Sequence, residues 1–223
     1  AAPSNAGTAL QALGRNEEAE AAFRRAISLD PAFLDARANL ARLLEAQGRL
    51  DDAAAEYRGM LARLAGPTLG MAAAIEARLG DVLAAGGRFA EAEPHYRRAL
   101  AAAPPTAERL VNLGVALVNL GRRDEALALF DRAARDFPES PDAALNLANL
   151  LIETGDAARA RATSDAAARR FASDPRFPYT SAVAAALAGD RAAARRALDE
   201  AIRRGGDPVR AAALRDPRLA GLR

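Results

Sequence analysis

The chain of 223 residues is expected to be all-α, a row of about six stacked helical hairpins. Composition is the first reason. Hydrophobic residues make up 51% but aromatics only 4%, so the apolar content is mostly Ala and Leu. Both favour helices, while the β-branched and aromatic residues that favour strands are sparse. Periodicity is the second reason. Gly14, Gly48, Gly87, Gly121, Gly155 and Gly189 are spaced by 34, 39, 34, 34 and 34 residues. Each follows a helical stretch and precedes a charged or polar link such as GRNEEAE or GRRDEAL. A residue without Cβ can take the left-handed conformation that ends a helix, and acidic residues suit the start of the next. A period near 34 marks a helix–turn–helix repeat, and such units stack because one hairpin cannot bury its own apolar face.

The first copy, 1–33, fits the pattern in its second helix, at Ala19, Phe23, Ala26 and Pro31. The second, 34–72, has Leu40, Ala41, Leu44, Gly48, Ala53 and Tyr57. It then departs, with Met60 where a small residue belongs and five extra residues from Leu64 to Thr68. That insertion is expected to lengthen the second helix, the loop after it, or both. The third, 73–106, has Leu79, Gly80, Leu83, Gly87, Ala92, Tyr96, Ala99 and Pro104. The fourth, 107–140, is the most regular. Leu110, Leu113 and Leu117 share one face of its first helix, and Ala126, Phe130 and Ala133 one face of its second. Gly114 and Ala126 are expected to let the two backbones approach, with Phe130 filling space toward the next hairpin. The fifth, 141–174, keeps Leu147, Ala148, Leu151 and Gly155 but has Ser164 at the aromatic position. The sixth, 175–206, keeps Gly189, Ala194 and Ala201, and carries Leu198 at that position. In the tail, 207–223, Asp207 as N-cap and Pro208 after it predict a short helix covering the last apolar face.

The fourth copy, with Leu113-Gly114, Leu117, Gly121, Ala126, Phe130, Ala133 and Pro138, resembles a tetratricopeptide repeat. The resemblance covers roughly residues 1–206 and is most specific in copies two to four. It implies one domain over 1–223. Its form would be an α-solenoid of about six repeats, a right-handed superhelix with a C-terminal capping helix, the first helix of each repeat lining the concave side.

Nine residues before each turn glycine stand Asn5, Asn39, Arg78, Asn112, Asn146 and Thr180. The chain has only seven asparagines, so four in one column need a reason. Asn is a weak helix former, and its carboxamide offers both a donor and an acceptor, matching a peptide unit. By the resemblance this column faces the groove, where some family members hold an extended peptide on an asparagine ladder. Helical steps add Asp35, Arg42, Asp81, Asn119 and Asn149 to the stripe, and Arg176 in the last copy. Asn39, Arg42, Arg78 and Asn112 could form part of the carboxylate clamp some members carry, but Asp35 and Asp81 would oppose an anion. The ordinary alternative is that each Asn bonds a neighbouring helix or water.

The formal net charge is +2 with a pI near 9.6, and the 31 basic residues are all Arg. With one His and no Cys almost nothing titrates near neutrality, so the pI is no sign of nucleic-acid binding. From Gly155 onward 14 Arg face 8 acids, an excess that could meet an acidic partner but reads first as solvated helical faces. The absence of Cys excludes disulfides and thiol chemistry. His95 stands without a ligand set and is read as a surface residue, so no metal, cofactor or catalytic group is expected. Paired arginines such as Arg24-Arg25, Arg97-Arg98 and Arg203-Arg204 read as an outer surface. No apolar run reaches membrane-span length. The chain opens at Ala1 in mid-repeat, which suggests a fragment or a processed start; a cytoplasmic site is expected, or a periplasmic one if a signal was removed.

The reading is a non-catalytic scaffold binding a peptide or protein segment, with self-association possible through the basic last repeats or the insertion. The alternative is the substrate-recruiting region of a larger transferase or hydroxylase. RNA binding is disfavoured by near-neutral charge and few aromatics.

Overall fold

A computed structural model describes residues 2–64 and 69–222. The chain divides into two compact units, Ala1–Pro105 and Thr106–Arg223. Unit 1 holds three helical hairpins: α1 (Ala2–Ala12) with α2 (Asn16–Leu29), α3 (Leu34–Ala46) with α4 (Leu50–Leu61), and α5 (Leu69–Ala85) with α6 (Phe89–Ala102). Unit 2 holds three more: α7 (Ala107–Asn119) with α8 (Arg123–Asp136), α9 (Pro141–Glu153) with α10 (Ala157–Arg170), and α11 (Arg176–Leu187) with α12 (Arg191–Arg215). A short 3-10 turn, Pro217–Leu222, follows. Within each unit the second helix of one hairpin packs on the first helix of the next, giving a short α-solenoid. There is no strand among the described residues.

All six turn glycines have positive φ, from 73° to 86°. At Gly121 the N–H of Arg122 reaches back 2.9 Å to Leu117 O, and the N–H of Gly121 bonds Val118 O at 3.0 Å. This is the Schellman closure, and it needs a residue that tolerates the left-handed region. The same backward bond recurs from Arg15, Arg49 and Arg88, each 2.9 Å, and from Asp156 and Asp190, 2.8 and 3.0 Å.

Inside the hairpin the interlock differs from the sequence expectation. A Cβ on Gly114 would lie 2.3 Å from the Phe130 ring, so Phe130 packs back onto its own hairpin. The same pairing joins Gly80 to Tyr96 and Gly7 to Phe23. The glycine is there because the ring occupies the space a side chain would fill. Gly7, seven residues before Gly14, belongs to this set and extends the repeat into α1.

Most of the insertion, 65–68, lies outside the described residues. Seven residues, 62–68, separate α4 from α5 against four before α3, α7 and α9, as the longer-loop expectation has it, and the helix that follows is lengthened too. The helix α4 has 12 residues, no longer than its counterparts, whereas α5 has 17 against 13 for α3, α7 and α9. It begins at Leu69, ahead of the repeat boundary set at 73.

The last helix, α12, is two helical segments broken at Gly206, where φ is 65° and ψ −148°. Residues after the break, with the 3-10 turn, cover α11 and α12. Ala213, Leu219 and Leu222 are buried with Ala182, Val183, Ala194 and Leu198, forming the cap the tail predicted. Asp216 anchors it. Its carboxylate, 8% exposed, accepts from Arg218 at 2.7 Å and from the Tyr179 hydroxyl at 2.9 Å. The Arg218 guanidinium, with the backbone and Tyr179 donors, draws this carboxyl down to about 2.

Candidate peptide-binding face

The first helices of each unit carry the column residues on one side. In unit 1 that side is charged and largely engaged with itself. Asn39 is half-buried and its Oδ1 accepts from the exposed Arg42 guanidinium. Arg78 pairs with Glu45 of α3 at 2.6 Å and with Asp81 at 3.5 Å. The Tyr57 hydroxyl donates to Glu45 at 2.5 Å and the Tyr96 hydroxyl to Asp81 at 3.0 Å. Burial and the Glu45 acceptor push Tyr57 up to about 12. This chain of tyrosine, carboxylate and guanidinium joins α3 to α5, and Arg78 and Asp81 stand in it as structural partners before they can be ligand groups. A carboxylate clamp at Asn39, Arg42 and Arg78 would have to displace Glu45 and Asp81 from Arg78. Asn5 lies exposed on α1.

In unit 2 the middle of the same side is apolar and carries amides, while Glu108, Asp142, Glu153 and Arg176 lie toward the helix ends. Asn112 is half-buried on α7. Asn119 and Asn146 donate to carbonyls of their own helices, Val115 O at 2.9 Å and Asp142 O at 2.8 Å. Those N–H groups serve the helix, as the ordinary reading of a mid-helix Asn has it. Asn149 is exposed, and its carboxamide makes no hydrogen bond among the described residues. Thr180 departs from the expectation: it is 5% exposed and its hydroxyl donates to Arg176 O at 2.9 Å. The small hydroxyl satisfies itself on the preceding turn and offers no ladder rung. Arg176 is held by Asp174 at 2.7 Å and Asp142 at 3.4 Å. Asn149, Thr180 and Arg176 nonetheless come together around one open recess.

Two residues assigned to the surface lie elsewhere. His95, with its side chain 15% exposed, has Nδ1 2.5 Å from Glu76 Oε2, and Arg98 holds the other oxygen at 2.8 Å. The pair Arg37–Glu56, 2.6 Å apart, occupies the same two repeat positions, so His95–Glu76 is an interhelix tie with the acid on the other helix. Arg204 turns inward and donates to the carbonyls of Ala168, Phe171 and Asp174 at 3.2–3.4 Å, closing the end of α10. The signal missed in both cases was position: each ties two helices, which spacing along one helix does not reveal. No group of three or more metal-ligating side chains lies together among the described residues. None of the described helices is long and apolar enough to cross a membrane.

Models of the tetratricopeptide repeat match residues 5–67, 70–139 and 121–178. A search of curated proteins found no sequence match. Among solved structures, YrrB, described as a TPR protein with an unusual peptide-binding site, is 23% identical over 87% of this chain and 98% of its own, with a TM-score of 0.67. PilW, a type IV pilus biogenesis factor, is 19% identical over 99% and 96%, with a TM-score of 0.71. PilF of Pseudomonas aeruginosa is 24% identical over 93% of each chain, with a TM-score of 0.69. At these identities the likeness is one of fold.

Proposed function

The chain belongs to the tetratricopeptide repeat family, and from that we propose a non-catalytic interaction scaffold that binds an extended peptide or protein segment along its first helices. One observation carries the peptide reading. On the face where the family holds ligands, Asn149 presents an exposed carboxamide whose donor and acceptor are both unused among the described residues. A carboxamide placed so can bond a peptide N–H and C=O without reading its side chains. Asn119 and Asn146 hold their amide N–H groups on their own helices, which keeps that face polar and ordered at little cost.

The test is direct. A panel of fluorescein-labelled synthetic decapeptides with randomised positions is titrated with the chain and with a variant carrying Asn112→Ala, Asn146→Ala and Asn149→Ala. Wild type should bind a subset of the panel. The variant should lose at least about tenfold in affinity, with helical content and melting nearly unchanged. Undiminished binding by a folded variant would overturn the amide reading. No binding of any peptide by wild type would overturn the peptide function itself.

A further inference from the structure

The recess in unit 2 lies between α9, α11 and the segment after Gly206, with a volume of about 420 Å³. Leu145, Tyr179, Val209 and Ala212 wall it. Its size falls within the range of sites that bury a small ligand. The strongly polar groups around it are already satisfied. The Tyr179 hydroxyl is on Asp216, the Thr180 hydroxyl on Arg176 O, and the Arg176 guanidinium on Asp174 and Asp142. What remains for a ligand is apolar surface and the carboxamide of Asn149. A backbone amide bonded at Asn149 would leave an adjacent side chain beside the recess.

The one charged side chain among its lining residues, Arg176, is held between two acids. Asp142 is 68% exposed on the first turn of α9 and shares Arg176 with Asp174. Glu108 and Glu153 are exposed on α7 and α9. Asp142 lies two helical turns, roughly 10 Å, from Asn149, about three residues of an extended chain. Resting on the peptide reading above, we infer that unit 2 selects a peptide with one large apolar side chain flanked by a basic residue. The apolar side chain sits in the recess, the backbone bonds Asn149, and the basic residue meets Asp142.

Ala212 is exposed, so Ala212→Trp can fill the recess from outside without disturbing the core. The probes are fluorescein-labelled decapeptides with Leu, Phe or Ala at the centre and Arg or Glu at the flanks, read by anisotropy on the 223-residue chain. Central Leu or Phe should bind about 10- to 30-fold tighter than Ala, the range of a buried anchor. Arg flanks should outbind Glu flanks several-fold, by an amount that shrinks with added salt and in Asp142→Asn. Ala212→Trp should erase the preference for Leu or Phe, while Asn149→Ala should weaken all peptides alike. Equal binding of central Leu and Ala overturns the anchor and leaves the peptide function standing. An anchor preference that survives Ala212→Trp places the anchor elsewhere and overturns the proposal. Equal binding of Arg- and Glu-flanked peptides overturns its basic flank. Absence of binding by the whole set overturns this proposal, while binding to the randomised panel would then still uphold peptide capture.

Discussion

Unit 1 and unit 2 are built from one repeat but use the same columns in opposite ways. In unit 1 the aromatic positions of the last two hairpins are Tyr57 and Tyr96, and each hydroxyl finds an acid on a first helix, Glu45 or Asp81. In unit 2 the aromatic positions are Phe130, Ser164 and Leu198, and the acids' places are taken by Val118, Ile152 and Ala186, and by Val115, Asn149 and Val183. One face is thereby crosslinked by its own charges, and the other is left apolar with amides. The difference extends to helix starts. In unit 1 the turn arginines Arg15, Arg49 and Arg88 pair with an acid three residues on. In unit 2 only Arg122 keeps that pairing, with Glu125, while Thr106, Ser140, Asp156 and Asp190 accept from backbone N–H groups as side-chain caps. A scaffold can thus keep its stacking pattern fixed while the face residues decide whether that face is crosslinked to itself or left open.

The interlock common to both units is the place to break them with the largest effect. Gly114→Ala puts a methyl 2.3 Å from the Phe130 ring, and Gly80→Ala puts one 2.7 Å from Tyr96. Overpacking of this kind costs about 2 kcal/mol. Urea denaturation should show a loss of that size for Gly114→Ala, with most of it recovered by adding Phe130→Leu, which removes the ring. A loss below about 0.5 kcal/mol would mean the hairpin opens freely around the ring.

Acid should separate the units next. Asp216 is drawn down to about 2 in the folded chain, from an ordinary value near 4. A carboxyl lowered in the folded state stabilises above its unfolded value, and that stabilisation disappears as pH falls through the folded value. The window is therefore about pH 4 to 2, and the magnitude about 2 kcal/mol. Hydrogen exchange in α11 and α12 should rise across that window and lose the step in Asp216→Asn, while α3 to α6 show no change on that substitution. Alkaline pH does not discriminate, because burial first and a carboxylate acceptor second push both Tyr57 and Tyr179 up to about 12.

The repeat was legible because its determinants are local. The turn glycines at fixed spacing, Leu113 and Leu117 on one face, and Asp207-Pro208 before the cap all act within one or two turns of chain. The candidate face was only half legible. Asn149 could be placed on it by helical steps, but whether its amide is free depends on what stands across from it. Arg78 and Asn149 occupy neighbouring columns of the same pattern, and only the partners at Glu45, Asp81 and Tyr57 show that one is engaged. Thr180 was misplaced for the same reason, since burial by neighbours overrode its column. The recess could not be read at all, because its wall at Ala212 comes from beyond the Gly206 break.

The smallest effect tests how the fifth hairpin lost the interlock. In the fifth hairpin Ala148 replaces the glycine and Ser164 the ring, and Ser164 is fully buried with its hydroxyl unpartnered among the described residues. The stacked pair Phe171 and Phe177, 5.3 Å between centroids, joins the end of α10 to α11 with aromatic bulk from other positions. An unsatisfied buried hydroxyl costs about 1 kcal/mol or more, so Ser164→Ala should raise stability by about 1 kcal/mol. Ser181 is the control. It too is buried, but its hydroxyl donates to Asp165 at 2.5 Å, so Ser181→Ala should lower stability by about the same amount. Opposite signs for two serines in one unit, measured by urea denaturation, would show that hydrogen-bond satisfaction and not helix propensity sets the outcome. If both gain, propensity dominates and the fifth hairpin carries no polar defect; if Ser164→Ala loses stability, its hydroxyl has a partner in solution.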